Sequence, residues 1–224
     1  MYKALLFDLD DTLLDFKAAE DYAFKKLLQE SNIPYNQQLF LQYDEINQNL
    51  WRQLEEQIIT KQYLFDQRFT RFFEALGYDE LDGIAAERRF RQLLGEGAFL
   101  MPNAKETLSK LKSAGYKLYT ASNGVYQTQI RRMQATKILE FFDGHFISEM
   151  VGYEKPNPKF FDYILDELNL AKKDVLMIGD GLNSDIKGAL MSNIDCVYYD
   201  FKNQSQANCA QYTIKSLLEL LTLI

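Results

Sequence analysis

Hydrophobic and polar positions change their period twice along this chain. It opens on four consecutive apolar residues, Ala4-Leu5-Leu6-Phe7, the run expected of a parallel-sheet strand buried on both faces. From residue 15 to about 95 the texture becomes long amphipathic stretches with no convincing strand. Apolar residues recur near helical spacing at Ala19, Tyr22, Ala23, Phe24, Leu27 and Leu28, and again at Leu39, Phe40, Tyr43, Ile46, Leu50 and Trp51. These predict helices over 18–29 and 39–54, and similar spacing predicts two more over 63–76 and 84–94. Gly95-Glu96-Gly97 and Met101-Pro102 punctuate the end of the block.

Beyond that point, strand-like and helix-like runs alternate. Strands are predicted over 117–121, 144–147, 175–178, 196–199 and 212–214. Helices are predicted over 104–114, stopped by Gly115, and over 126–138, 158–168, 184–191 and 216–221. Asn157 is placed to cap the helix that begins at Pro158. This alternation predicts right-handed crossovers and a parallel sheet covered on both faces. The expected fold class is therefore α/β: a doubly wound core over residues 1–14 and 97–224, with a helical insertion over 15–96 after the first strand. Hinges are expected at 14–17 and 95–103, where the insertion joins the core.

Composition narrows the function more than the fold. Hydrophobic residues at 47% and charged residues at 25% are ordinary globular values. The net charge of −7 argues against sequence-independent nucleic-acid binding, which needs a basic surface. No apolar stretch approaches the roughly 20 residues that span a bilayer, and the N-terminus lacks signal-peptide features. Cys196 lies in an apolar run and reads as a core residue. With Cys209 it forms neither a metal-like pair nor a disulfide framework, so a soluble, reducing, cytoplasmic location is the expectation. His145 is the only histidine and sits at a predicted strand start, where it reads as structural. Acid–base chemistry then falls to carboxylates, lysine or tyrosine.

In doubly wound sheets ligands bind beyond the carboxyl ends of the strands, and polar groups gather at four such places here. The first strand runs into Asp8-Leu9-Asp10-Asp11-Thr12, and the second into Ser122-Asn123-Gly124. The strand at 175–178 runs into Gly179-Asp180-Gly181, with Asp185 five residues after Asp180. Gly152-Tyr153-Glu154-Lys155-Pro156-Asn157-Pro158 follows the strand at 144–147. Asp8 and Asp10 carry the first consequence. Two carboxylates about 4 Å apart repel by about 4 kcal/mol at an effective dielectric of about 20. A hard divalent cation with oxygen ligands is the simplest compensation.

Taken in their order along the chain, the four segments resemble the motifs of the haloacid dehalogenase superfamily of phosphohydrolases, and the resemblance covers essentially the whole chain. The insertion looks like that superfamily's small α-helical cap. Leu14-Asp15-Phe16, Val151 to Pro156 and Asp185 to Gly188 resemble the branch of pyrimidine 5′-nucleotidases typified by YjjG and YfnB. The resemblance implies that Asp8 is the nucleophile and that Asp10 is the general acid and then the base. Asp8, Asp180 and the backbone carbonyl of Asp10 would hold Mg²⁺. Ser122, the N–H groups around Asn123 and Gly124, and Lys155 would bind phosphate. Asp185 would orient either Lys155 or the metal's water shell, and Asp11 and Thr12 would fix the turn that aims Asp10.

The implied substrate is a small phosphorylated metabolite, with a pyrimidine nucleoside monophosphate, canonical or noncanonical, in front and with Tyr22, Trp51 or Tyr63 available to stack a base. Small sugar phosphates or phosphoglycolate are the alternative hydrolytic substrates, and a sugar-phosphate mutase would keep the same residues. Asp10 speaks against dehalogenation, because halide departs without a proton. The complete set of acidic residues and lysine speaks against a non-enzymatic binding protein. No Gly-rich loop ending in Gly-Lys-Ser/Thr is present for a GTPase-type module. The sequence leaves the oligomeric state open.

Overall fold

A computed structural model describes residues 2–203 and 209–224; Met1, part of the first predicted segment, lies outside the described residues. The chain divides into two compact units, one of Met1–Phe16 with Ala98–Ile224 and the other of Lys17–Gly97.

The first unit is built on a parallel six-stranded sheet. Its strands are β1 (Ala4–Phe7), β2 (Lys117–Ser122), β3 (Gly144–Ile147), β4 (Val175–Gly179), β5 (Asp195–Tyr199) and β6 (Tyr212–Ile214), in the order β3-β2-β1-β4-β5-β6. The two-residue repeat of strands, with both faces covered, explains why the runs 4–7, 175–178 and 196–199 are apolar throughout. Leu5, Phe7, Leu176, Ile178, Val197 and Tyr199 pack on one face, while Ala4, Leu6, Val175, Met177, Cys196 and Tyr198 pack on the other. Each of these side chains is at most 5% exposed. His145 lies on the edge strand β3, where its Nδ1 is 3.3 Å from the Thr120 hydroxyl. Burial pulls its pKa below the ordinary imidazole value.

The second unit is helical, with α1 (Phe16–Glu30), whose first residue belongs to the sheet unit, α2 (Gln37–Glu55), α3 (Lys61–Leu76) and α4 (Gly83–Glu96). The side chains of Asn36, Thr60 and Asp82 accept from backbone N–H groups at the starts of α2, α3 and α4. Phe24, Tyr43, Phe69, Phe72 and Phe90 form its aromatic centre; Tyr43 stacks on Phe24 at 4.6 Å and on Phe69 at 5.3 Å.

Among these rings lies a polar chain that crosses all four helices. Arg68 forms a two-pronged pair with Glu87 at 2.7 and 2.9 Å and donates to Asn47 at 2.9 Å. Asn47 and Tyr43 donate in turn to Glu20 at 2.9 and 3.2 Å. Of the rings expected to stack a base, Tyr22 and Trp51 are half-buried and Tyr63 is exposed. Trp51 packs against the cluster of Leu50, Leu54 and Leu64.

Around the sheet lie α5 (Ala104–Ser113), α6 (Tyr126–Ala135), α7 (Ser148–Val151), α8 (Pro158–Leu168), α9 (Lys187–Met191) and α10 (Leu220–Leu223). Asn157 caps α8 by accepting from the Lys159 N–H. Three helical segments differ from expectation. α6 stops at Ala135, not at Ile138, because the Thr136 hydroxyl takes up the Arg132 carbonyl and Lys137 turns left-handed. The segment expected as one helix over 184–191 begins with a π-helical turn, Leu182–Ile186, before α9. The closing helix opens as a 3₁₀ turn, Leu217–Glu219, under a capping box between Ser216 and Glu219. No helix among the described residues is long and apolar enough to cross a membrane.

Candidate active site

Register brings the strand ends level. Phe7 pairs with Thr120 on one side and with Ile178 on the other, and Asp8 continues the ladder by donating its N–H to Ile178 O at 2.9 Å. The next residues on the three strands are Asp8, Ala121 and Gly179, so the motif segments after β1, β2 and β4 leave the sheet side by side. The strand order reverses between β1 and β4, the position where sheets of this order open a crevice.

Lys155 ties the segments together. Its ammonium donates to Asp8 Oδ1 at 2.7 Å, to Asp185 Oδ1 at 2.6 Å and to the Ala121 carbonyl, which uses all three of its hydrogens. A phosphate oxygen reaching Lys155 must therefore share or replace one of these bonds. The Lys155 backbone is clamped by Asn123, whose side-chain amide accepts from the Lys155 N–H at 2.9 Å and donates to the Lys155 carbonyl at 2.8 Å. Sequence reasoning gave Asn123 only a backbone role; its side chain is the bracket between two motif loops.

Asp8, Asp180 and Asp185 each present a carboxylate oxygen, and all three lie within 4.8 Å of one another. Burial, and after it the Asp185 charge, push the Asp8 carboxyl well above the usual carboxylate range, against the pull of Lys155. Asp180 is pushed up to about 8, by burial first and then by the Asp185 and Asp11 charges. Burial draws the Lys155 pKa down, but Asp185 and Asp8 outweigh it and hold the ammonium above its ordinary value. Hard oxygen donors this close, with their negative charge poorly compensated, fit a divalent cation of the Mg²⁺ type. Asp185 is spoken for on both oxygens, by Lys155 and by the Gly181 N–H at 2.9 Å.

Gly181 has a physical reason. A Cβ there would meet Ser184 Oγ at 2.2 Å and Asp185 Oδ2 at 3.0 Å, so the loop folds tightly over the Asp185 carboxyl. Thr12, in the turn expected to aim Asp10, is fully buried and also braces Asp180: its hydroxyl accepts from the Asp180 N–H at 3.1 Å and donates to Asp180 Oδ1 at 3.2 Å. Asp11 adopts a left-handed backbone with φ 58° and accepts from the Phe16 N–H at the start of α1. Burial comes first among the influences that raise its pKa.

Ser122 is buried, and its hydroxyl oxygen accepts from the Gly124 N–H at 3.0 Å and from Gln129 Nε2 at 3.1 Å. With both lone pairs used, its O–H is left as a donor. Asp10 lies beside two residues that sequence reasoning missed, Gln129 and Arg132, both 1% exposed. Gln129 donates to Asp10 Oδ2 at 2.7 Å, and Arg132 pairs with Asp10 Oδ1. Their signal in the sequence was faint: two polar residues three apart on the face of a helix that also carries Met133.

A family model described as haloacid dehalogenase-like hydrolase matches residues 2–192. The pyrimidine 5′-nucleotidase PynA of Streptococcus pneumoniae is 37% identical over 224 residues, covering 98% of this chain and 94% of that protein. The HAD-hydrolase YfnB of Bacillus subtilis is 36% identical over 222 residues, with the same coverage. A crystal structure of YfnB bound to magnesium superposes with a TM-score of 0.93 at 35% identity, covering 99% of this chain and 98% of that one. The pyrimidine 5′-nucleotidase YjjG of Escherichia coli is 27% identical over 219 residues, covering 96% of this chain and 95% of that protein.

Proposed function

The chain belongs to the haloacid dehalogenase-like hydrolase family, and on that footing we propose that it is a Mg²⁺-dependent phosphomonoesterase that turns over through an aspartyl-phosphate on Asp8. Its preferred substrates are pyrimidine nucleoside 5′-monophosphates. The observation that carries the reading is the convergence of Asp8, Asp180 and Asp185 within 4.8 Å, with the Lys155 ammonium bonded to two of them. Names of similar proteins support the substrate class, since two of them are pyrimidine 5′-nucleotidases.

Asp8 attacks phosphorus with a carboxylate oxygen. As the new O–P bond forms, the ester O–P bond breaks, and the leaving alcohol oxygen takes a proton from Asp10. Water then attacks the phosphorus of the aspartyl-phosphate and gives its proton to Asp10, so that inorganic phosphate leaves and Asp8 is regenerated. Lys155 counters the charge that gathers on the phosphoryl oxygens and holds Asp8 in line. The Ser122 hydroxyl donates to one of those oxygens. Asp8, Asp180 and the Asp10 backbone carbonyl would hold Mg²⁺, while Asp185 fixes Lys155. When bound, the metal lowers the repulsion between carboxylate and phosphate and polarises a phosphoryl oxygen.

Inorganic phosphate release from uridine, cytidine, adenosine and sugar monophosphates, with Mg²⁺ or with EDTA, tests the reading. Turnover should require the metal, favour the pyrimidine nucleotides and fall by at least about a thousandfold in Asp8→Asn, as expected when the group that makes the bond is removed. A substantially active Asp8→Asn protein would sink the mechanism. Equal rates on all substrates would sink the pyrimidine preference alone.

A further inference from the structure

We infer that Arg132 and Gln129 are the positioning residues of Asp10, clamping its carboxyl at the distance from Ser122 that proton transfer to the leaving group requires. This rests on the reading of Asp10 as the acid and base of phosphomonoester hydrolysis. Four hydrogen bonds make the clamp. Gln129 Nε2 bridges Asp10 Oδ2 at 2.7 Å and Ser122 Oγ at 3.1 Å. Arg132 Nη1 donates to Asp10 Oδ1 and to Gln129 Oε1, the latter at 3.0 Å. One amide thus spans the group that would hold phosphate and the group that would move the proton.

The arrangement is costly for a purely structural contact. The Arg132 side chain is 1% exposed, yet its Nε and Nη2 have no hydrogen-bond partner among the described residues. A buried guanidinium normally satisfies its fork of donors; this one leaves two unused, packs 5.5 Å from the Phe16 ring and directs one nitrogen at Asp10. A methionine or leucine would fill the same helix face without that penalty. The clamp does not block Asp10: a carboxylate has about four lone-pair sites, the clamp fills two, and the side chain stays 33% exposed. The loop also leaves room for it, because a Cβ on Gly124 would fall 2.4 Å from Gln129 Nε2 and 2.8 Å from its Cγ. A carboxyl released from the clamp would move by about 1 Å or more, a displacement that lowers a rate by about a hundredfold.

The test compares two leaving groups. Alkyl esters such as uridine 5′-monophosphate need a proton on the departing oxygen, whereas p-nitrophenolate departs without one. In Arg132→Met, kcat/KM on uridine 5′-monophosphate, which reports the transfer to Asp8 before the water step that both substrates share, should fall by about 10- to 100-fold while kcat/KM on p-nitrophenyl phosphate loses less than about threefold. Gln129→Leu should show the same split, and Arg132→Lys should recover part of the alkyl-ester rate. Adding Arg132→Met to Asp10→Asn should slow the enzyme no further, since both remove one function. Equal losses of kcat/KM on the two substrates, or losses that multiply on top of Asp10→Asn, would overturn the clamp. If Arg132→Met does not fold, Gln129→Leu and Arg132→Lys decide by the same split. Retained activity in Asp8→Asn is a separate result that strikes the phosphohydrolase reading instead.

Discussion

The Thr12 hydroxyl makes both of its recorded hydrogen bonds to a single neighbour, accepting from the Asp180 N–H and donating to the Asp180 carboxylate. That fixes the direction in which Asp180 presents its oxygens. Removing the hydroxyl in Thr12→Val keeps the volume and frees the carboxylate. The Mg²⁺ concentration for half-maximal phosphatase activity should rise by about 10- to 100-fold, the usual penalty when a ligand loses its supporting hydrogen bond. An unchanged Mg²⁺ titration would show that Asp180 needs no such brace. At this scale the sequence disclosed residue types better than partners. Asp8 and Asp180 stand out because charged groups follow apolar strands, and Lys155 because it falls in the Gly- and Pro-punctuated segment beyond β3. The Asn123 side chain and the Thr12 hydroxyl bind residues 32 and 168 positions away, and no local pattern encodes such a pairing.

Among the elements, the four helices of Lys17–Gly97 were legible from their apolar spacing, whereas the polar chain at their centre was not. Glu20, Asn47, Arg68 and Glu87 interrupt the apolar stripes that announce the helices, so periodicity alone reads them as surface. Each instead meets its partner from another helix. Breaking a buried ion pair on one side leaves an uncompensated charge. Arg68→Leu should therefore lower the stability of this unit by about 3–5 kcal/mol. Urea unfolding followed through Trp51, the sole tryptophan of the chain, reports it directly. The double variant Arg68→Leu/Glu87→Leu should regain much of the loss, because neither member of the pair is left facing an apolar partner as a buried charge. A single variant as stable as wild type would mean that the pair carries no net weight. The π-helical start before α9 was equally hidden, since it answers to the close fold of Gly181 over Asp185 and not to any spacing of apolar residues.

For the molecule as a whole, the clustered carboxylates couple stability to pH and to metal. Burial and neighbouring charge raise Asp180 to about 8, so the metal-free folded protein holds a proton that the unfolded chain releases at lower pH. The associated stability is complete below the ordinary carboxylate pKa and is lost as pH rises through about 8. In EDTA the melting temperature should fall between about pH 5 and pH 9, and saturating Mg²⁺ should raise it most at the alkaline end, where it meets carboxylates that have lost their protons. Differential scanning fluorimetry across that range decides the matter, and a Mg²⁺ shift of equal size at both ends would count against it.

The strand order bears on how the molecule comes into being. β1 is central, and its two neighbours, β2 and β4, lie more than a hundred residues downstream. In a growing polypeptide, Asp8 therefore meets Asp180 and Asp185 only after β4, more than a hundred residues further on, has emerged and docked. Pairings between such distant segments form slowly. Until then one long side of that apolar strand stays uncovered, a temptation to self-association.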